Sequence, residues 1–178
     1  MTNLPVPVVA PVAAGQLITG ALWNAQVVNS INFSTNVPIF LGYQSAVQSV
    51  ANSTQTLVSF DATYVDTYSG HSNSSNNTRY TAQIPGYYFA SGTISFAANA
   101  TGARNGYLRV NGTTAIGGFV QVGNAGASQT TTYVVNAFVY LNAGDYIELG
   151  MAQYSGAALS TSNSVNQTSC MFVMWDHA

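Results

Sequence analysis

Lysine is absent from this 178-residue chain, and charge of either sign is scarce: three arginines, five acidic residues, 4% charged in all. Soluble domains average about 25%. With a formal net charge of −2 and no basic cluster, the chain lacks the Lys and Arg that neutralise phosphates, which excludes nucleic acid as a partner. No apolar run approaches the ~18 residues a membrane span needs. The first residues carry no positive charge ahead of an apolar stretch, unlike a secretory signal. The single cysteine, Cys170, excludes an intrachain disulfide framework.

What remains polar is Ser, Thr, Asn, Gln and Gly. Such a surface has little charge repulsion to keep copies apart, so much of it is expected to lie in an oligomer or larger assembly. The alternative is a neutral extracellular β-protein. Seven Asn-x-Ser/Thr triplets, among them Asn52-Ser53-Thr54, arise by chance in so Asn- and Ser-rich a chain.

The chain is organised around Ile84–Phe96. Pro85-Gly86 launches it, and Tyr88, Ala90, Gly92, Ile94 and Phe96 then alternate with Tyr87, Phe89, Ser91, Thr93 and Ser95. A period of two over this length predicts a strand with one buried face, interior to a sheet. Before it, residues 1–38 read as an anchoring unit. Pro5, Pro7 and Pro11, with valines between, favour an extended arm. Thr19 caps an expected helix over 20–33, with Trp23, Val27 and Ile31 on one stripe.

From Pro38 onward only strands and turns are expected: 39–51, 55–64, 79–84, 104–111, 116–122, 130–141, 146–151 and 171–175. Asn111-Gly112 marks a hairpin, and Asn142–Asp145 a turn. The polar stretches 65–78, 99–106, 123–128 and 155–167 read as loops. Many short strands at turn-bounded intervals predict an all-β antiparallel sandwich or jelly roll over 39–178. The last strand is apolar on both faces and needs cover on both. Tyr87, Phe89, Tyr133, Phe138, Tyr140, Tyr146 and Trp175 are the aromatic candidates for a subunit interface.

Catalytic signals are weak. Glycosidase chemistry needs two carboxyls across a cleft, but Asp145 and Glu148, three apart on a strand, face opposite ways, and Asp145 suits a hydrogen bond within its turn. Asp66, His71 and Arg79 form the best local cluster. Asp66 and His71, with Asp61, are candidates for a Ca²⁺ or Zn²⁺ site; the competing reading is a loop pinned by an Asp66–Arg79 pair. No cofactor is expected otherwise. Arg104 and Arg109 are expected to pair with Glu148 or Asp145, Cys170 to fill a core position, and His177 to be solvated.

Three stretches carry a family resemblance. Ile84-Pro85-Gly86-Tyr87-Tyr88-Phe89 is similar to the Pro-Gly-x-Tyr-x-Phe entry to a central strand in the C1q/tumour-necrosis-factor-like jelly rolls. Leu141–Leu149 resembles that family's Leu-x-x-Gly-Asp-x-Val-x-Leu hairpin, and Ser169-Cys170-Met171-Phe172 its closing strand. Leu108–Gly112 also fits a family hairpin. The layout of Ala14–Thr19, Trp23-Asn24, Asp66…Gly70-His71-Ser72…Arg79-Tyr80 and Gly86-Tyr87-Tyr88 resembles a version found in bacteriophage virion surface proteins.

The resemblance implies a homotrimer with aromatic strands facing its axis. There is no collagen-like or coiled-coil stalk, which suits a short knob on a capsid or tail. Expected function is therefore non-enzymatic: arm and helix seat the chain on other virion proteins, and loops at the opposite end meet a host-surface glycan. Tyr68, His71, Asn73, Asn76, Asn99, Asn124, Tyr154 and Asn163 are the loop candidates for that contact. Capsid decoration is the alternative, and a glycan-degrading enzyme a third.

Overall fold

A computed structural model describes residues 3–164 and 166–178. Twelve strands follow a short helical segment. They are β1 (Ile39–Tyr43), β2 (Ser49–Val50), β3 (Thr56–Leu57), β4 (Ala62–Asp66), β5 (Arg79–Thr81), β6 (Gly86–Phe96), β7 (Arg104–Val110), β8 (Thr113–Val122), β9 (Thr131–Leu141), β10 (Tyr146–Gln153), β11 (Leu159–Ser160) and β12 (Cys170–His177). One sheet runs β4-β1-β12-β6-β9. The second runs β3-β10-β7-β8, with β5 also on β10, and β11-β2 form a small third pair. All the strand pairs are antiparallel.

The alternation of β6 dictates its place. Tyr88, Ala90, Gly92, Ile94 and Phe96 are buried, and Tyr87 and Phe89 are exposed. The inward set meets Leu108, Ile147, Leu149 and Met151 of the second sheet in one core. Burying each large side chain contributes about 1.5–3 kcal/mol. Gly92 permits the approach: any Cβ there would run into the Leu149 side chain. Pairing β6 with β12 on one side and β9 on the other makes it interior, as its alternation requires.

Local chemistry ends the strands as read from sequence. Asn111 and Gly112 both take positive φ, 48° and 81°, to close the β7–β8 hairpin. The Asp145 carboxylate accepts from the Asn142 backbone N–H at 2.8 Å and from the Asn111 amide at 2.8 Å. It thereby ties two neighbouring turns together.

The helix is Gly20–Trp23 (α1), a π-helical turn over Asn24–Val28, and Asn29–Ser34 (α2). Thr19 caps it, its hydroxyl oxygen accepting the Leu22 N–H at 3.2 Å. The helix attaches to the sandwich by its last turn, where buried Phe33 meets Trp175 edge-on at 5.0 Å.

Candidate functional site

Strand registers define two ends. Gly86 faces Leu141 and Tyr87 faces His177 at the base, while Phe96 faces Thr131 and Cys170 faces Thr93 toward the far end. The arm and helix join the base. Leu4 and Val6 pack on the core, and the Leu4 carbonyl accepts the Tyr68 hydroxyl at 3.1 Å. Beyond them Val8, Val9, Val12, Leu17 and Ile18 are exposed. Pro5 and Pro11 are exposed and Pro7 half-buried; Trp23 and Ile31 stand more than half exposed, and Val27 is half-buried.

The outer face of the first sheet is apolar. Tyr87 and Phe89 of β6 lie opposite Tyr140 and Phe138 of β9. Tyr87 stacks on Phe138 at 5.6 Å and on the exposed His177 at 4.8 Å, and meets Tyr140 at 5.2 Å. Phe138 and Tyr140 are half exposed, at 52% and 50%. Leu41 of β1 and Phe172 and Met174 of β12 continue the strip, half-buried. Cys170 lies on this outer face, not in the core. Beside the strip, Ile116 stands 99% exposed on edge strand β8. It borders a groove of about 390 Å³ with Val110, Thr114, Phe138 and Tyr140.

Three interface candidates belong elsewhere. Tyr133 points inward, and its hydroxyl donates to the Asn105 carbonyl at 2.9 Å. Trp175 is buried beside Phe33 and donates its Nε1–H to the Pro85 carbonyl at 3.1 Å. Tyr146 sits on the second sheet beneath Arg79, whose guanidinium lies 4.6 Å from the ring centre.

The loop 67–78 is not at the far end, as expected, but starts at the base. The Thr67 N–H donates to the Ile39 carbonyl at 3.0 Å, and the loop returns along the flank until Asn77 accepts from the Phe60 N–H at 2.8 Å. Tyr68 is fully buried and presents nothing to a ligand. Asn73 accepts from the Thr63 hydroxyl at 2.7 Å, and Asn76 is exposed with φ 51°.

Asp66 makes no ion pair with Arg79 among the described residues. Its carboxylate accepts the backbone N–H groups of Tyr68, Gly70 and His71, the last at 2.9 Å. The His71 ring places Nδ1 2.8 Å from the Arg79 carbonyl and Nε2 3.0 Å from the Phe60 carbonyl. Carbonyls only accept, so an imidazolium serves both and a neutral ring serves one. With both nitrogens and the carboxylate so engaged, Asp66 and His71 do not present a metal site. No group of three potential ligands converges among the described residues.

The far end is organised by Arg104, which is fully buried. Its guanidinium donates to the carbonyls of Thr101, Gly102, Ala103 and Asn99 and to the Asn99 side chain, at 2.9–3.3 Å. Phe96 lies beneath it at 5.7 Å. Neither Asp145 nor Glu148 pairs with it. Burial lowers its pKa, opposed by nearby Tyr133. Around it Asn99 holds the Thr101 N–H, Asn124 donates to Gly102, Tyr154 is 40% exposed, and Asn163 donates to Ser45. Sequence reading did not identify Arg104 as the organiser, because its acceptors are backbone groups that leave no mark in the residue pattern.

The other arginines lie on the outer face of the second sheet. Glu148 stands in register between Arg79 and Arg109 and is only 7% exposed. Arg109 also donates to the Gly112 carbonyl. A polar cleft of about 270 Å³ opens beside Arg79, between the 69–76 turn and β5.

No protein-family model matches the chain. It is 32% identical over 117 residues to the uncharacterized protein L688 of Acanthamoeba polyphaga mimivirus, a match covering 64% of this chain; the chain spans about half the length of that relative. Among solved structures it resembles the globular domain of zebrafish complement 1qA, with TM-score 0.52 and 14% identity, covering 78% of this chain and 95% of that one. It also resembles murine APRIL at pH 5.0, with TM-score 0.53 and 13% identity, covering 78% and 98%. The Eiger TNF of S. frugiperda aligns over 80% and 93% at TM-score 0.50 and 12% identity. The chain is thus an antiparallel jelly roll of the C1q/TNF-like fold, preceded by a short helix.

Proposed function

We propose that this chain is a non-enzymatic homotrimeric bacteriophage virion-surface protein, tail- or fibre-associated, that presents its outer surfaces to a host saccharide. The observation that carries the trimer is the aromatic strip on the first sheet. Contiguous exposed apolar surface marks an interaction site. Here a rim of Ile116 and the β8–β9 groove lies at the edge of the same face. A face of one copy against the edge of the next is a heterologous contact, which forms a ring where the rotation between copies closes, as a threefold arrangement does. The far-end loops, with Asn99, Asn124, Tyr154 and Asn163, then point the same way in every copy, and repetition raises avidity for a weak ligand.

The likeness to a giant-virus protein supports a viral setting, and the phage assignment rests on the motif layout of residues 14–88. Against enzymatic function, Asp145 is committed to its turns and Glu148 sits between two arginines. Two measurements test the reading. Light scattering of the purified chain is expected to give three copies, and a monomer overturns it. Imaging of labelled virions is expected to place a few copies at the tail.

Capsid decoration is the second reading. The exposed apolar arm favours it, because the first 60 residues contain no Asp, Glu, Lys or Arg and leave Val8, Val9, Leu17 and Trp23 uncovered. Many copies spread over the head in those images would select it.

A further inference from the structure

We propose that the cleft between the 69–76 turn and β5 receives the carboxylate of an acidic saccharide, with Arg79 as its anion contact. This deepens, and rests on, the reading of the chain as a surface-binding protein.

The argument begins with the cations. Of three arginines, Arg104 is consumed inside the far-end loop, and Arg109 is engaged with the Gly112 carbonyl. Arg79 makes no side-chain hydrogen bond and no ion pair within 4.0 Å among the described residues, and it lines the cleft. Glu148 is the nearest competing carboxylate by register, but it stands between two arginines, so the row Arg79–Glu148–Arg109 keeps one positive charge in excess. Asp66, the other acid nearby, already accepts three backbone N–H groups.

The Arg79 guanidinium carbon lies over the Tyr146 ring, 4.6 Å from its centre. A stacked guanidinium keeps its planar fork free for a carboxylate, which it binds through paired, charge-assisted hydrogen bonds. Around it the cleft offers Ser69, Ser75, Asn76, Thr81 and Gln83. These hydroxyls and amides match the hydroxyls of a sugar ring. The lining has no large apolar side chain, which disfavours a lipid or an apolar peptide.

The cleft wall is also rigid before any ligand arrives. Asp66 and the His71 ring fix the turn to β4, β5 and Phe60, so little ordering cost remains for binding. The cleft lies on the side of the second sheet, away from the aromatic strip, so trimer formation on that strip leaves it open.

The test is an NMR titration of the full chain with sodium glucuronate, glucose and sodium sulfate, with light scattering in parallel. Glucuronate is expected to shift resonances of Ser75, Asn76 and Gln83 with millimolar affinity, glucose and sulfate at least 10-fold more weakly. Arg79→Gln is expected to weaken glucuronate at least 10-fold and Arg109→Gln less than 2-fold. Gln83→Glu, which leaves Arg79 and its packing in place, is expected to repel the carboxylate and reproduce the Arg79→Gln loss. Equal binding of glucose overturns the anion contact, and equal binding of sulfate overturns the saccharide. No glucuronate binding by an intact trimer overturns this cleft alone, whereas a monomer overturns the trimeric reading itself.

Discussion

The two sheets of the sandwich share one core and one alternation rule, yet their outer faces differ in kind. The first turns Tyr87, Phe89, Phe138 and Tyr140 outward, with the Asp176–His177 pair at the basal end of that strip. The second turns out Arg79, Glu148 and Arg109 in a row, with Tyr146 beside them. In a chain with eight formal charges among Asp, Glu, Lys and Arg, three in one row is a concentration. Inward residues answer to the shared core, whereas outward residues answer to whatever each face meets. An apolar face gains by association and a charged face by staying wet.

The largest expected effect breaks this contrast. The pair Phe89→Asp and Phe138→Asp adds charge to the aromatic strip and is expected to abolish the trimer, each lost aromatic anchor costing about 2 kcal/mol or more. Light scattering reads the loss, and unchanged far-ultraviolet dichroism shows that the fold survives. Glu148→Gln, on the other face, is expected to leave the trimer intact.

Next in size is Arg104→Met. It removes the bonds from Arg104 to four backbone carbonyls at the far end, of which Gly102 and Ala103 keep the Asn124 amide and the Tyr154 N–H, and is expected to cost about 3 kcal/mol, measured by denaturant unfolding. An equal cost from Arg109→Met would remove the distinction between a buried organiser and a face residue.

His71→Phe fills similar space beside Phe40 and Phe60 but donates to neither carbonyl. A loss of about 1–2 kcal/mol is expected, with faster hydrogen exchange in residues 67–78. Exchange unchanged by the substitution would show that the ring does not hold the loop.

The smallest effect is acid titration. At Asp61 desolvation pushes the pKa up, but hydrogen bonds from the Ser45 backbone and hydroxyl outweigh it, and the net shift is downward. The Asn111 side chain and the Asn142 backbone lower Asp145 likewise. A carboxylate whose pKa is lower folded than unfolded contributes stability above the unfolded value, about 3.9. That contribution fades as pH falls through the folded one. Melting temperature is expected to drop modestly below pH 4, and Asp61→Asn is expected to flatten part of that slope.

Much of this was legible in the residues. Period two placed β6 and its inward set, Asn-Gly gave the hairpin, and Thr19 gave the cap. Parity also contained more than was taken from it. Tyr133 and Tyr140 are seven apart on one strand, so they face opposite ways, and only Tyr140 was available to an interface. Trp175 shares the parity of Met171 and Val173 and so faces the core, while Phe172 and Met174 face out. Tyr146 defeats parity, since it points outward on the wrong sheet, and sheet membership is a long-range fact. The placement of Tyr68 and the 67–78 loop was hidden for the same reason. The turn is held by Asp66, His71 and backbone carbonyls many residues apart, and its polar composition gives no direction of travel.

Arg104 leaves one consequence. The turn at 99–103 wraps its carbonyl oxygens around a positive charge in the way loops wrap a dissolved ion, but this ion is tethered to the chain. It cannot be diluted, chelated or exchanged. The tip of the molecule should therefore keep one shape in rainwater, in brine and in the presence of chelators.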